Sequence, residues 1–405
     1  MKKTLTSFAF LLAICSRAGA QVAPEATSGA AHMDYSLRYS QTAEFGGNIG
    51  NWQTAAASGL VDYANGSERL PFSLTNTGGY TFTFAGPSYT TGLFEHLLIS
   101  QGIIWRRWSV TASDNVSYRP QAPTTGFSGI PGIGEPIGAP SPTPPSSETI
   151  LTVNTHVVDN LATVELDDKF NYATTVTAGG SSELRRYPDG NGLNVNTQKA
   201  NAGLKRRLNA RNSLTTDYHF SYFSYPDYGL GFNTNSVLFG FTRLWTAKIS
   251  TDLSGGPEWV SSSNSADFPS STRFSIRASA LYTFRLTSAE LNYNRGVNDG
   301  GGYLFGAESD TATFVLSRQF RTGLDLGLHG SYRRTSGLVN NGVTDGKVAG
   351  VQANRRLGRF FSVFASYTAT DQSSSSTLPG NTLNNLLQIV GFGVSYSPRE
   401  RRIIQ

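Results

Sequence analysis

TRFSIRASALYTFRL, residues 272–286, alternates with a period of two. Phe274, Ile276, Ala278, Ala280, Tyr282 and Phe284 share one parity, and Arg273, Ser275, Arg277, Ser279, Thr283 and Arg285 share the other, with Leu281 the one apolar exception. Side chains of a strand point alternately to opposite faces, so this stretch has one greasy face and one face carrying three arginines. The neighbouring segments decide where such a strand can live.

The same period runs through LTTDYHF (214–220), SVLFGF (236–241), LDLGLHGSYRR (324–334) and FFSVFASYTATD (360–371), and helical spacing never takes over. From Lys169 onward we count twelve strand segments of this kind. Their connections alternate in length. Those near 209–212, 246–247, 286–287, 321–323 and 357–359 are short, and those near 226–232, 261–271, 298–309, 336–345 and 371–384 are longer. Hairpins that are tight at one end of a sheet and loose at the other characterise transmembrane barrels, whereas sandwich strands are shorter and cross between sheets.

Composition agrees. Of 405 residues, 38% are hydrophobic and 15% charged, against roughly 25% charged in soluble domains, while aromatics reach 12% and glycines number 43. This is a strand-and-turn composition. Lys2 and Lys3, an apolar run over 5–14 and Ala18-Gly19-Ala20 predict a signal peptide over 1–20, followed by a flexible segment over 21–33. Its removal takes away Cys15, the single cysteine, and lowers the formal charge from +5 to +2, which argues against nucleic acid as a partner. No later stretch is long and apolar enough for a spanning helix, so an exported chain is periplasmic, secreted or a closed barrel in an outer membrane, and the alternation favours the barrel.

We therefore expect an all-β, closed antiparallel transmembrane barrel over 34–397, of about sixteen strands within a range of fourteen to eighteen. The region 34–119 would supply four to six of them, from YSLRYSQTAEF, GLVDYAN, LPFSLTN, GYTFTFAG, EHLLISQGIIW and RWSVTASDNVSYR, although HLLISQGII also fits a short helix or plug element. A Pro/Gly-rich stretch over 119–148 reads as an irregular linker or external loop, with inward folding as the alternative. Residues 398–405 read as a polar tail.

Near the C-terminus VGFGVSY presents Gly391, then Val394 and Tyr396 at two-residue spacing. This resembles the C-terminal strand signal of Gram-negative outer-membrane β-barrel proteins, a porin-like architecture, and identifies no specific porin family. The resemblance implies the outer membrane as location and the barrel-assembly machinery and outer-membrane lipid as partners. The sequence departs from the pattern, because Ser397 and eight further residues follow the aromatic.

Chemistry-bearing candidates are few. The histidines, at 32, 96, 156, 219 and 329, show no metal-ligand spacing, and no nucleophile elbow or phosphate-cradling loop occurs. No cofactor or metal is expected. Asp217 and His219 share a strand face, which leaves an outer-membrane hydrolase as a minor alternative. Arginine on a lipid face at mid-bilayer costs about 2–4 kcal/mol, so the polar parity must face the lumen. This predicts Asp217, His219, Asp252, Arg273, Arg277, Asp325, His329 and Arg333 as pore-lining residues. They form either a weakly anion-preferring lining or a structural network of arginines and aspartates. Phe220, Tyr222, Tyr225, Trp245, Trp259, Tyr282, Phe284, Tyr367 and Tyr396 read as an interfacial girdle. The reading is a non-enzymatic, passive or weakly selective channel for small hydrophilic or anionic solutes. The alternative is a non-conducting barrel in surface assembly, exopolysaccharide export or adhesion. Oligomeric state is left open.

Overall fold

The computed structural model describes residues 31–46, 51–85, 91–121, 155–262, 270–339, 342–375, 385–398 and 401–403. The predicted signal peptide and the body of the Pro/Gly-rich stretch lie outside the described residues.

The wall begins with β1 (Ala31–Gly46), β2 (Trp52–Ala64), β3 (Phe72–Ala85), β4 (Gly92–Ile104), β5 (Trp108–Gln121) and β6 (Thr155–Asp168). It continues through β7 (Thr174–Arg186), β8 (Val195–Arg207), β9 (Asn212–Tyr225), β10 (Leu230–Thr246), β11 (Ile249–Ser261) and β12 (Ser271–Phe284). It ends with β13 (Thr287–Asn298), β14 (Ala307–Gln319), β15 (Leu324–Gly337), β16 (Val343–Leu357), β17 (Phe361–Ser374) and β18 (Asn385–Tyr396). Each strand pairs antiparallel with its sequence neighbour, and β18 returns to β1 from Leu37↔Tyr396 to Gly46↔Leu387, closing the barrel. Closure leaves no unpaired edge. Beyond it a short β19 (Arg401–Ile403) pairs with Ala31, His32 and Met33, so the predicted tail carries a strand and β1 starts inside the segment expected to be flexible.

The wall has eighteen strands rather than about sixteen. The twelve from β7 to β18 are those expected, and the difference lies in the N-terminal third. LPFSLTN and GYTFTFAG are one strand, β3, because Gly78 and Gly79 do not turn the chain. A Cβ at Gly79 would overlap the Phe94 ring and the Ala57 carbonyl, so these glycines permit close approach within the wall. HLLISQGII lies in β4, a wall strand paired with β3 and β5, and is neither helix nor plug. The unread strand is β6, THVVDNLATVELDD, where adjacent Val157 and Val158, then Leu161 and Ala162, blur the period of two. β5 also extends to Gln121 and takes in Arg119 and Pro120, so the irregular stretch begins later than its composition predicts.

Alternation sets the two faces. Phe239, Leu253, Phe274, Leu291 and Phe392 are each more than half exposed on the outside, forming an apolar surface far larger than soluble proteins tolerate. The opposite parity carries buried polar groups, among them Thr234, Ser236, Ser254, Glu258, Ser275, Thr311, Arg333 and Gln372. Among the described residues no helix is long and apolar enough to cross a membrane.

Candidate functional site

On β9 to β12 the inward parity gathers charge. In register, His219 stands opposite Ser236, Ser236 opposite Glu258, and Glu258 opposite Arg273, forming a row across four strands. Below it Arg277 is opposite Ser254, and Asp252 is opposite Ser279 and accepts a hydrogen bond from Thr242. Arg277 Nη1 lies 3.4 Å from His219 Nε2, and the acids acting on the guanidinium are Asp217, Glu258 and Asp252. Asp217, His219, Asp252 and Arg277 thus form one cluster. Arg273 is drawn away from it to an ion pair with Glu308 on β14, which also holds Arg295 at 2.9 Å.

The three β15 residues stand apart from this cluster. Arg333, buried, donates from Nε to Thr311 Oγ1 at 3.1 Å. His329 lies opposite Val315 and Gly350, with no hydrogen-bond partner at Nε2, and Asp325 lies opposite Gln319 and Asn354. In the seam strand, Val394 and Tyr396 are on the outward parity, opposite Tyr39 and Leu37 of β1, and Gly391 is inward against Thr42 and Ser366. Tyr225, expected in the girdle, is fully buried on the inside.

Tyr225 belongs to an arrangement that the sequence reading missed. The 299–306 connection between β13 and β14 folds inward and reaches β7, six strands along the ladder, so the contact spans a chord of the interior. Asp299 Oδ2 accepts from Arg185 Nη1 at 2.9 Å, its Oδ1 accepts from Gly301 N–H at 3.1 Å, and its carbonyl accepts from the Tyr225 hydroxyl at 2.8 Å. Arg185 also donates to Asp159 at 2.8 Å and to Glu183 at 3.1 Å, so one buried guanidinium serves three carboxylates. Burial pushes the Asp299 carboxyl above its ordinary range against the pull of Arg185.

Backbone freedom makes the docking possible. Gly300, Gly301 and Gly302 have φ of 76°, 65° and 80°. A Cβ on Gly302 would overlap the Tyr187 hydroxyl. Phe305 packs edge-on against Tyr225 and Tyr228, and Val195, Phe223, Tyr225, Phe232 and Val260 form an apolar core beneath the connection. A second tie holds the 187–194 connection: Asp189 accepts from the backbone N–H of His156 at 2.9 Å and pairs with its ring at 2.7 Å. Partial burial opposes ionisation of Asp189, but these His156 bonds hold its carboxyl below the usual range.

A closed eighteen-strand wall, apolar outside, polar inside and narrowed at its long-loop end, can be set beside known folds. It matches the structure of Pseudomonas aeruginosa OccK2 (OpdF) in complex with glucuronate at TM-score 0.50 and 12% identity, over 91% of this chain and 98% of that one. The structure of Pseudomonas aeruginosa OccK5 (OpdH) matches with the same TM-score, identity and coverage. Both are outer-membrane porins. This chain has the fold of an outer-membrane porin. At such identity the likeness concerns the fold of the porin-type barrel alone. No family model matches the sequence, and no curated protein does. Among the described residues no group of three or more His, Cys, Asp or Glu could hold a metal.

Proposed function

We propose that this protein is an outer-membrane channel for small hydrophilic solutes, exported by the signal peptide over 1–20, with its short turns in the periplasm and its longer connections outside. The supporting observation is the eighteen-strand closed wall: barrels of sixteen to eighteen strands are too wide for side chains to fill and leave an aqueous passage. Solutes enter past the docked 299–306 connection and then pass the Arg277, His219, Asp217 and Asp252 cluster. Passage depends on width and charge and needs no turnover or cofactor.

Selectivity in this reading is a weak preference for anions. Of the inward arginines, Arg185 and Arg273 are neutralised by carboxylates, whereas among the described residues Arg277 makes no salt bridge. It is an inward cation that can meet a passing carboxylate. The remaining predicted lining residues, Asp325, His329 and Arg333, form a separate polar strip on β15.

Single-channel recording in planar bilayers tests the reading. We expect discrete current steps, and a folded protein that carries no ionic current at several voltages would refute it.

A further inference from the structure

The two rims of the barrel carry opposite charge. Each of the eight short connections contains at least one cation. Arg69 lies in 65–71, Arg106 and Arg107 in 105–107, Lys169 in 169–173 and Arg211 in 208–211. Lys248 lies in 247–248, Arg285 in 285–286, Arg321 in 320–323 and Arg359 in 358–360. Glu68 is the one acid among them. The connections at the other end contain no Lys or Arg in the sequence, and carry Glu135, Glu148, Asp189, Asp227, Asp267 and Asp299.

All nine short-rim cations are exposed, and among the described residues only Arg107 is ion-paired, with Asp168. Four of them, and the strand-end residues Arg243 and Arg318, sit over aromatic rings. Lys248 Nζ is 3.7 Å from the centre of the Phe284 ring, with Arg285 at 5.1 Å from the same ring, and Arg243 is 4.0 Å above Trp245. Arg107 with Phe170, Arg318 with Phe320, and Arg359 with Phe360 repeat the arrangement around the rim. A ring at the boundary with a cation on its face holds that charge at headgroup depth, just beyond the outward apolar surface.

We propose that the short-turn rim is a binding collar for anionic phospholipid, with lysine and arginine contacting headgroup phosphates of the leaflet on that side. Distribution favours a lipid over a soluble partner. A protein or polysaccharide would touch one sector of the rim, whereas these charges are present at every turn around the perimeter, as a surrounding leaflet requires. Juxtamembrane Lys and Arg gain energy from an anionic surface, additively and in a salt-dependent way. The inference rests on the membrane placement proposed above and not on conduction.

The test equilibrates folded, detergent-purified full-length protein with equimolar phosphatidylglycerol and phosphatidylethanolamine, removes free lipid and measures retained lipid by native mass spectrometry. We expect phosphatidylglycerol to be enriched at least about threefold, with the enrichment lost at high salt. In a variant carrying R69Q, R106Q, K169Q, R211Q, K248Q and R321Q we expect near-equal retention of the two lipids. Equal retention by the parent protein, or undiminished enrichment in the folded variant, overturns the collar. If the variant does not fold, as judged by heat-modifiable gel mobility, the salt series on the parent decides. Binding of soluble poly-glutamate to the barrel in lipid nanodiscs without phosphatidylglycerol enrichment would also overturn it, and would assign the rim to a soluble anionic partner. Failure of the parent to insert into any bilayer is a separate result, which sinks the membrane placement itself.

Discussion

Arg185 on β7 and Asp299 after β13 meet at 2.9 Å, although six strand steps of barrel wall separate them. Both are almost completely buried, so this bond fixes the inward position of the 299–306 connection. Removing the carboxylate leaves Arg185 with Asp159 and Glu183 and deprives Gly301 N–H of its acceptor. We expect Asp299→Ala to weaken docking by about 1–3 kcal/mol and to raise single-channel conductance. Asp299→Asn keeps one acceptor oxygen and sets an amide NH2 against the other donor, so it should fall between Asp299→Ala and the parent. Identical conductance for Asp299→Ala and the parent would show that the connection does not restrict the passage.

The same carboxyl gives docking a pH dependence whose sign follows from its shift. Burial raises the Asp299 pKa in the docked state, while Glu183 adds to the rise and Arg185 and Lys199 oppose it. An undocked carboxyl has the ordinary value of about 4. The docked state therefore binds the proton more tightly, and docking strengthens as pH falls from above the raised value towards about 4. The Asp189 tie works in the opposite sense, because its carboxyl is depressed by His156: its contribution is full above the ordinary value and is lost as pH falls through the depressed one. Conductance recorded from neutral pH down to about pH 4 should fall, and Asp299→Asn should flatten the curve. A rise over that range in the parent would contradict the assignment.

Docking also needs a residue without a side chain at position 302. Gly302 has φ of 80°, and any Cβ would overlap the Tyr187 hydroxyl. Gly302→Ala should cost docking about 2–4 kcal/mol from backbone conformation and overlap together. Limited proteolysis within 299–306 should become faster while the heat-modifiable mobility of the barrel is unchanged.

Much of this was legible in the sequence, for a physical reason. A strand that faces apolar solvent outside and water inside must alternate, and Phe274 against Arg273 and Arg277 does so without a partner being known. Twelve strands follow from that rule. The rule fails where a residue answers to a neighbour and not to a solvent: Gly78 and Gly79 resemble a turn but admit Phe94, and Leu161 places an apolar group on the inner face of β6. Tyr225 looks interfacial as an aromatic close to a strand end, whereas it falls on the inward parity with buried Phe223. The Asp299 tie was out of reach, since Arg185 lies 114 residues away and no local pattern links them. The glycine run beside Asp299 was its only local signal.

The closing seam between β1 and β18 carries a prediction about assembly. Gly393 lies opposite Ser40 and Phe364, and a Cβ there would overlap the Phe364 ring and the Tyr39 carbonyl. The Phe364 ring in turn carries Arg38 at 4.0 Å. Gly393→Val should therefore strain the pairing that closes the barrel, by about 1–3 kcal/mol, and reduce the folded fraction seen as heat-modifiable mobility. Enlarging the next residue instead, by Val394→Ile on the outward parity, should leave folding intact. Equal folding of both variants would show that Phe364 yields without cost.

Charge selectivity should follow Arg277. An ion passing about 4–8 Å from a unit charge in a water-like medium gains or loses about 0.5–1 kcal/mol, or about two- to fivefold in permeability ratio. Removing Arg277 leaves Asp217, Asp252 and Glu258 as the nearby charges, so Arg277→Ala should move the reversal potential in a salt gradient towards cations by that factor. Arg277→Lys retains the charge but not the reach to His219, and should keep the parent's preference. Arg273→Ala serves as the contrast, because Arg273 is already neutralised by Glu308. Its loss leaves Arg295 facing both Glu308 and Asp310, one negative charge in excess near the long-loop end, so it too should shift selectivity towards cations, but the shift should vanish in Arg273→Ala combined with Glu308→Gln. A reversal potential unmoved by Arg277→Ala in a conducting, folded barrel would mean that solutes pass out of range of this cluster.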